Sequence, residues 1–221
     1  MSQPLTFAGY AMFKASGRDP GADTARLASE VEELFAKARD SVEVRGVYST
    51  TGFTARADVM FWFTSNSSDR IQDLLVELRR TDLGRSLIAV DTWMGVALPA
   101  EFAKDHQPAF VKGEPPKKYM TVYPFVRTPE WYLLDPKERG ALLREHGEAG
   151  REFADVLANT TSAFGLGDFE WLLCFEADGP ERIVELIRRL RATEARRFTK
   201  VEIPFYTGIR KELSAAVEDV R

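Results

Sequence analysis

The sequence predicts an α+β protein built from two similar halves, each a βαββαβ unit. Three observations carry this. A stretch of amphipathic helix recurs, strands and helices flank both copies in the same order, and a proline-rich segment separates the copies.

The recurrence comes first. Residues 69–85 read DRIQDLLVELRRTDLGR and residues 181–197 read ERIVELIRRLRATEARR. Arg70/Arg182, Ile71/Ile183, Leu74/Leu186, Leu78/Leu190, Arg79/Arg191 and Thr81/Thr193 are identical pairs. The apolar positions fall at i, i+3, i+4 and i+7, one face of a helix. Such spacing is common to many helices, but shared arginines and a shared threonine point to duplication.

The flanking elements follow in order. In the first half, residues 6–15 read as a strand. A helix spans 23–38, with Leu27, Val31, Leu34 and Phe35 on one face. Strands at 42–49 and 53–64 come next. The Ser65-Asn66-Ser67-Ser68 run is expected to cap the repeated helix, and 87–97 forms the last strand. In the second half, 118–127 is a strand. Asp135, Pro136 and Glu138 start a long helix as cap, first-turn proline and a carboxylate three residues after the cap. Strands are expected at 160–164 and 169–177. Pro180 opens the repeated helix, and 200–209 closes the half. Each half has the order of a ferredoxin-like unit. The expected division is 1–98, a linker at 99–117 interrupted by Pro99, Pro108, Gly113, Pro115 and Pro116, and 118–221.

Composition limits the function. The formal net charge of −4 argues against a general nucleic-acid binder, which needs a basic footprint. No apolar run is long enough for a membrane span. Residues 1–9 lack a basic stretch followed by an apolar core, so no signal peptide is expected. The single cysteine, Cys174, lies in the apolar run Leu172-Leu173-Cys174-Phe175 and reads as a buried strand thiol. It offers neither an intrachain disulfide nor a paired-cysteine metal site. A protein of a reducing cytoplasm is expected.

The chain has two histidines, His106 and His146. Zinc would need several ligands, whereas haem iron needs one protein ligand. His146 shares a helix face with Leu142, Leu143, Ala149, Gly150 and Phe153. It is either a core histidine with a single hydrogen bond or an axial ligand. Gly147 and Gly150 weaken the helix interior, and with the small Ala149 they leave room for something flat. The corresponding place in the first half is Leu34, so the repeat carries histidine in one copy only. Drift after duplication and a single cofactor site both account for that.

Tyr119, Thr121, Tyr123, Phe125 and Arg127 alternate onto one face of the strand at 118–127, and Pro124 suggests an edge or bulge. Tyr123 and Arg127 stand roughly 13 Å apart along an extended strand, comparable to a porphyrin's width. A phenol at one end and an anion-binding guanidinium at the other suit such a ligand. Half-buried strands also carry Tyr and Arg for packing and solubility. His106 lies in the proline-rich linker and is either a solvated loop histidine or part of a loop folded over a site.

At these residues the chain resembles a known family. The segments are Arg45-Gly46-Val47-Tyr48 through Ala55-Arg56-Ala57-Asp58, with Trp62 beyond; Pro115-Pro116-Lys117-Lys118 through Tyr123-Pro124-Phe125; Trp131-Tyr132; Glu145-His146-Gly147; and Gly165-Leu166-Gly167-Asp168-Phe169-Glu170-Trp171. Together they resemble the coproheme decarboxylases of actinobacteria, in the chlorite-dismutase-like superfamily, over nearly the whole chain. The resemblance implies a dimeric α+β barrel type of fold, two ferredoxin-like halves within one chain. It implies that Fe-coproporphyrin III (coproheme) is substrate and cofactor at once, that hydrogen peroxide is the oxidant, and that haem b is the product. His146 then corresponds to the axial iron ligand and Tyr123 to the tyrosine oxidised to a radical. His106 corresponds to a distal base, Arg127 to a propionate-binding residue and Trp131 to a redox-active aromatic. Lys117 and Lys118 would also meet carboxylates. A homopentamer and a transient contact with a ferrochelatase are implied as well.

One departure separates the branches. Enzymes that dismutate chlorite carry a distal arginine after the proximal histidine. Here the region reads Ala158-Asn159-Thr160, with no arginine between Arg151 and Arg182. The glutamine of the firmicute branch is also absent there. A chlorite dismutase or haem peroxidase is therefore disfavoured. A haem carrier or sensor would need His146 but not Tyr123.

Overall fold

The computed structural model describes residues 5–17, 23–98 and 107–220. The chain forms two compact units. One holds the described residues up to Val96 together with those from Tyr206 onward, and the other runs from Ala97 to Phe205.

The first unit contains β1 (Thr6–Ala15), α1 (Thr24–Ala38), β2 (Glu43–Ser49), β3 (Val59–Ser65), α2 (Ser68–Arg80), α3 (Asp82–Arg85) and β4 (Leu87–Ala97). The strand order β4-β1-β3-β2 is that of a βαββαβ sheet. Beta-branched and aromatic residues make β3 a continuous apolar run, and it is buried on both faces. Phe61 and Phe63 point to the helix side, where Leu27, Val31, Ile71, Leu74 and Leu78 pack against them. The repeated helix therefore turns the face expected from its period to the core. Asp23 caps α1 by accepting from the Arg26 N–H at 2.6 Å.

The second unit contains β5 (Tyr119–Arg127), α4 (Pro129–Leu133), α5 (Pro136–Arg151), β6 (Leu157–Ser162), β7 (Trp171–Ala177), α6 (Pro180–Leu190), a 3-10 turn (Glu194–Phe198) and β8 (Thr199–Val201). β5 pairs antiparallel with β7 from Tyr119↔Ala177 to Phe125↔Trp171. β7 also pairs with β6, and β5 with β8. Its order, β8-β5-β7-β6, matches that of the first unit. That shared order is the structural counterpart of the sequence repeat. Tyr123, Phe125 and Phe175 pack with Ile183 and Leu186 of α6. Asp135 caps α5 through the Lys137 N–H at 2.8 Å, with Pro136 in the first turn.

Several expectations are corrected. Residues 53–58 are not strand: the chain turns at Gly52 (φ 88°), and Phe53 N–H donates to Thr50 O. Ser67 stands at the cap of α2 but makes no side-chain cap bond. Ser65 Oγ accepts from Ser67 N–H and donates to Ser41 O instead. The strand expected at 160–164 lies at Leu157–Ser162. The irregularity expected at Pro124 falls instead between Val126 and Arg127, on the β8 side.

The strand expected at 200–209 divides into β8 and β9 (Tyr206–Lys211), separated by Pro204. A proline lacks the donor that a continuing ladder needs. β9 pairs antiparallel with β2, from Val47↔Lys211 to Ser49↔Ile209. A final helix α7 (Leu213–Asp219) adds Leu213, Ala216 and Val217 to the first core. The boundary expected at residue 98 therefore leaves out a C-terminal return to the first unit.

Part of the expected linker is packed. Ala109 N–H donates to Ala158 O at 3.0 Å, and Phe110 N–H to Asn159 Oδ1 at 2.9 Å. Lys117 N–H donates to Glu176 Oε2 at 3.0 Å. Glu176 and Asn159 are fully buried, and Asn159 Nδ2 bonds Glu176 Oε1. Two buried polar side chains from neighbouring strands thus satisfy backbone donors of residues 110 and 117.

Candidate functional site

The second unit gathers four of the residues singled out from the sequence. His106 lies outside the described residues.

His146 stands in the last two turns of α5 and is half-buried. Its Nδ1 lies 3.2 Å from Thr193 Oγ1. That hydroxyl donates to Leu190 O at 2.7 Å, beyond the end of α6. Just past it, Glu194 N–H donates to Glu145 Oε2 at 3.2 Å, which ties the next residue to α5 as well. Gly147 is exposed, and a Cβ there would meet no atom within 4 Å, so packing inside the unit does not require that glycine.

Arg127 ends β5 and is buried. Its Nη1 donates to Ala195 O at 2.7 Å. The guanidinium lies 4.1 Å from the Trp131 ring centroid and 4.7 Å from that of Phe125, both cation–π distances. Burial pushes its pKa down to about 10, which leaves it charged at neutral pH. Trp131, in α4, is 4% exposed and packs on Phe198 at 5.5 Å. Glu170 Oε2 accepts from both Arg127 N–H and the Tyr132 hydroxyl, fixing the end of β5 against α4.

Tyr123 is 3% exposed at the middle of β5. Its ring stacks on Phe205, centroids 4.3 Å apart, and leans on Phe175 at 6.2 Å. Burial, then the Glu202 carboxylate, push the phenol well above its ordinary pKa, while Arg191 and Arg196 oppose this. Glu202 accepts from both arginines, from Arg191 Nη2 at 3.0 Å and from Arg196 Nη1.

Lys117 and Lys118 sit at the other end of β5 from Arg127. Lys117 Nζ pairs with Asp178 at 2.8 Å, and Lys118 Nζ lies 5.3 Å from the Tyr119 ring centroid. The structure does not bring either lysine to the group formed around Thr193–Phe198.

The stretch from Thr193 to Phe205 is what connects the site. Thr193 meets His146, Ala195 meets Arg127, Phe198 meets Trp131, and Glu202 and Phe205 face Tyr123. Sequence reasoning treats this stretch as a helix end and a closing strand. The signal was present all the same, because Thr193 and Arg191 are among the residues identical between the repeats.

Among the described residues, no three or more His, Cys, Asp or Glu side chains are grouped to hold a metal ion. A porphyrin iron asks for one side-chain nitrogen. His146 offers such a nitrogen in its half-buried imidazole, whose Nδ1 lies beside the Thr193 hydroxyl.

Fold and site together define a duplicated α+β protein whose second unit carries His146, half-buried on α5 beside the Thr193 hydroxyl. The chain belongs to the chlorite dismutase family, whose profile matches residues 24–211. It is 45% identical over 214 residues to a coproheme decarboxylase of Mycolicibacterium smegmatis, covering 95% of this chain and 92% of that protein. A coproheme decarboxylase of Oceanobacillus iheyensis is 27% identical over 165 residues, covering 67% of this chain and 66% of that protein. In fold, the chain matches a mutant chlorite dismutase from Candidatus Nitrospira defluvii with a TM-score of 0.86 at 23% identity. That match covers 97% of this chain and 94% of the other.

Proposed function

We propose that this chain is a coproheme decarboxylase. It uses hydrogen peroxide to convert two propionates of Fe-coproporphyrin III to vinyl groups, giving haem b. The observation that carries this is the 45% identity, over 95% of the chain, to the mycobacterial coproheme decarboxylase.

The residues of the second unit support a division of labour. His146 holds the iron through one imidazole nitrogen. The bound substrate supplies the redox chemistry once peroxide reaches its iron. Tyr123 is protonated at neutral pH, as an ordinary phenol is, and burial disfavours its phenolate further. It therefore gives up an electron and its proton together, and no charge is left in an apolar core. Its radical then takes a hydrogen from a propionate. Each propionate loses CO2, one proton and two electrons, and one peroxide takes up those electrons with two protons as water.

Arg127 carries five N–H donors, and one is committed to Ala195 O, so others can orient a substrate carboxylate. Trp131, whose ring packs against the Arg127 guanidinium, is assigned the relay of an electron. Arg191 and Arg196 share Glu202 within electrostatic reach of Tyr123, so a carboxylate arriving there competes with Glu202. His106 acts as the base that accepts the peroxide proton, the part an imidazole plays in general-base catalysis. Lys117 and Lys118 are assigned a weaker role in meeting carboxylates. No described helix is long and apolar enough to cross a membrane. A cytoplasmic homopentamer in transient contact with a ferrochelatase completes the proposal, and sedimentation velocity checks its oligomeric part.

The direct test loads the protein with ferric coproheme, adds hydrogen peroxide stepwise and follows the porphyrin by mass spectrometry. Stepwise loss of both propionates, abolished in Tyr123→Phe, is expected. Coproheme bound through His146 but only bleached by peroxide would identify a carrier or sensor instead.

A further inference from the structure

We infer that Thr193 is a positioning residue that sets the tautomer of His146 and so decides which ring nitrogen meets iron. The inference rests on His146 being the axial ligand.

A threonine hydroxyl has one proton to give. Thr193 gives it to Leu190 O at 2.7 Å. Towards His146 Nδ1, 3.2 Å away, the same oxygen can therefore only accept. The imidazole must carry its proton on Nδ1, which puts the ring's lone pair on Nε2. A free histidine has no such constraint, because its two tautomers are close in energy. A hydrogen-bond partner on the distant nitrogen both selects the tautomer and fixes the ring's aim.

The duplication supplies an internal control. In the first unit Thr81 Oγ1 also donates to the carbonyl three residues back, Leu78 O, at 2.7 Å. There its lone pair accepts from the Gly84 N–H at 3.0 Å and caps α3. Three residues past Thr193 stands Arg196 rather than Gly84, and Thr193 makes no side-chain cap bond. The place of His146 is held by Leu34, which packs into the apolar core. The same threonine, anchored in the same way, has lost the cap in the second unit and gained the histidine.

The partner is also a neutral one. A hydroxyl acceptor polarises the Nδ1–H less than a carboxylate would, so His146 binds as a neutral imidazole with little imidazolate character.

The test starts on the ligand-free protein. Nitrogen-15 NMR of the two histidines, with His106→Ala to assign them, reports the tautomer directly. His146 is expected as the Nδ1–H form in the wild type and in Thr193→Ser. A mixture with the Nε2–H form is expected in Thr193→Val. The second measurement is the Fe(II)–histidine stretch by resonance Raman in haem-loaded protein. It is expected to fall in Thr193→Val, recover in Thr193→Ser and rise in Thr193→Asp. Haem dissociation should quicken in Thr193→Val by roughly tenfold or more, the range seen when such partners are removed. Thr81→Val serves as the control, since it loses the same anchor and a cap without touching the histidine. An Nε2–H tautomer in the wild type, or Thr81→Val and Thr193→Val giving the same spectra, would overturn the inference. Loss of iron coordination is a separate matter: an Fe–histidine band that persists in His146→Ala sinks the ligand assignment, whatever the tautomer.

Discussion

Tyr123 and Arg127 lie on one strand, and the same cause pulls them in opposite directions. Burial disfavours the charged form of each, so the phenol's pKa rises and the guanidinium's falls to about 10. Both stay in their ordinary states at neutral pH, one neutral and one charged. The phenol sets an alkaline limit. Its folded pKa lies above its unfolded one, so the stability it contributes is fully present below the unfolded value near 10. That contribution is lost as pH rises further towards the folded pKa. Tyr206, raised by burial and by its hydrogen bond to Asp91, acts in the same sense. Melting temperatures measured from pH 8 to 12 should fall less steeply in Tyr123→Phe than in the wild type. Parallel curves would show that the phenol ionises as freely in the folded protein as in water. Arg127 should not tolerate lysine. An ammonium cannot lie flat between Phe125 and Trp131 while bonding Ala195 O. Arg127→Lys is expected to raise the KM for coproheme and to leave a buried carbonyl unsatisfied at a cost of about 1–3 kcal/mol. Steady-state kinetics alongside denaturant unfolding checks both effects.

At the scale of elements, strands β6 and β7 brace the segment that leads into β5. Glu176 and Asn159 are fully buried, and between them they satisfy the Lys117 and Phe110 amides. The position that follows the proximal histidine in the resemblance is thus occupied by a structural peg. Glu176→Gln keeps the shape but turns one acceptor into a donor that faces another donor. A loss of about 1–3 kcal/mol is expected for that unsatisfied pair. Hydrogen exchange should quicken at Lys117 and Phe110 while the α6 amides stay protected. If exchange at those two amides is unchanged, the carboxylate is not what holds the segment. The hub at Thr193–Phe205 works in the same way, since a 3-10 turn and a short strand present carbonyls, aromatic rings and a carboxylate to three other elements.

At the scale of the whole molecule, the chain finishes in the unit where it began. β9 adds to the β2 edge, and α7 contributes Leu213, Ala216 and Val217 to the first core. Ending the chain after Phe205 would bare the β2 edge and remove that apolar layer, which invites aggregation. The truncated protein is expected to be insoluble or loosely folded by near-ultraviolet dichroism. A soluble, cooperatively unfolding product would show that the return strand is dispensable. Much of the architecture is legible in the sequence by itself: the duplication, the core face of each repeated helix, the Asp135 start of α5 and the apolar β3. These depend on period and capping, which neighbours along the chain decide. The sequence also names His146, Tyr123, Arg127 and Trp131, and all four lie in the second unit. Only the tertiary structure decided where β9 pairs, what Glu176 and Asn159 hold, and that Thr193–Phe205 links the site. Thr81 and Thr193 give the physical reason. Both are anchored alike to their own helix, yet one lone pair caps a turn and the other receives a histidine. Which donor arrives depends on residues distant in sequence, and no local pattern encodes that choice.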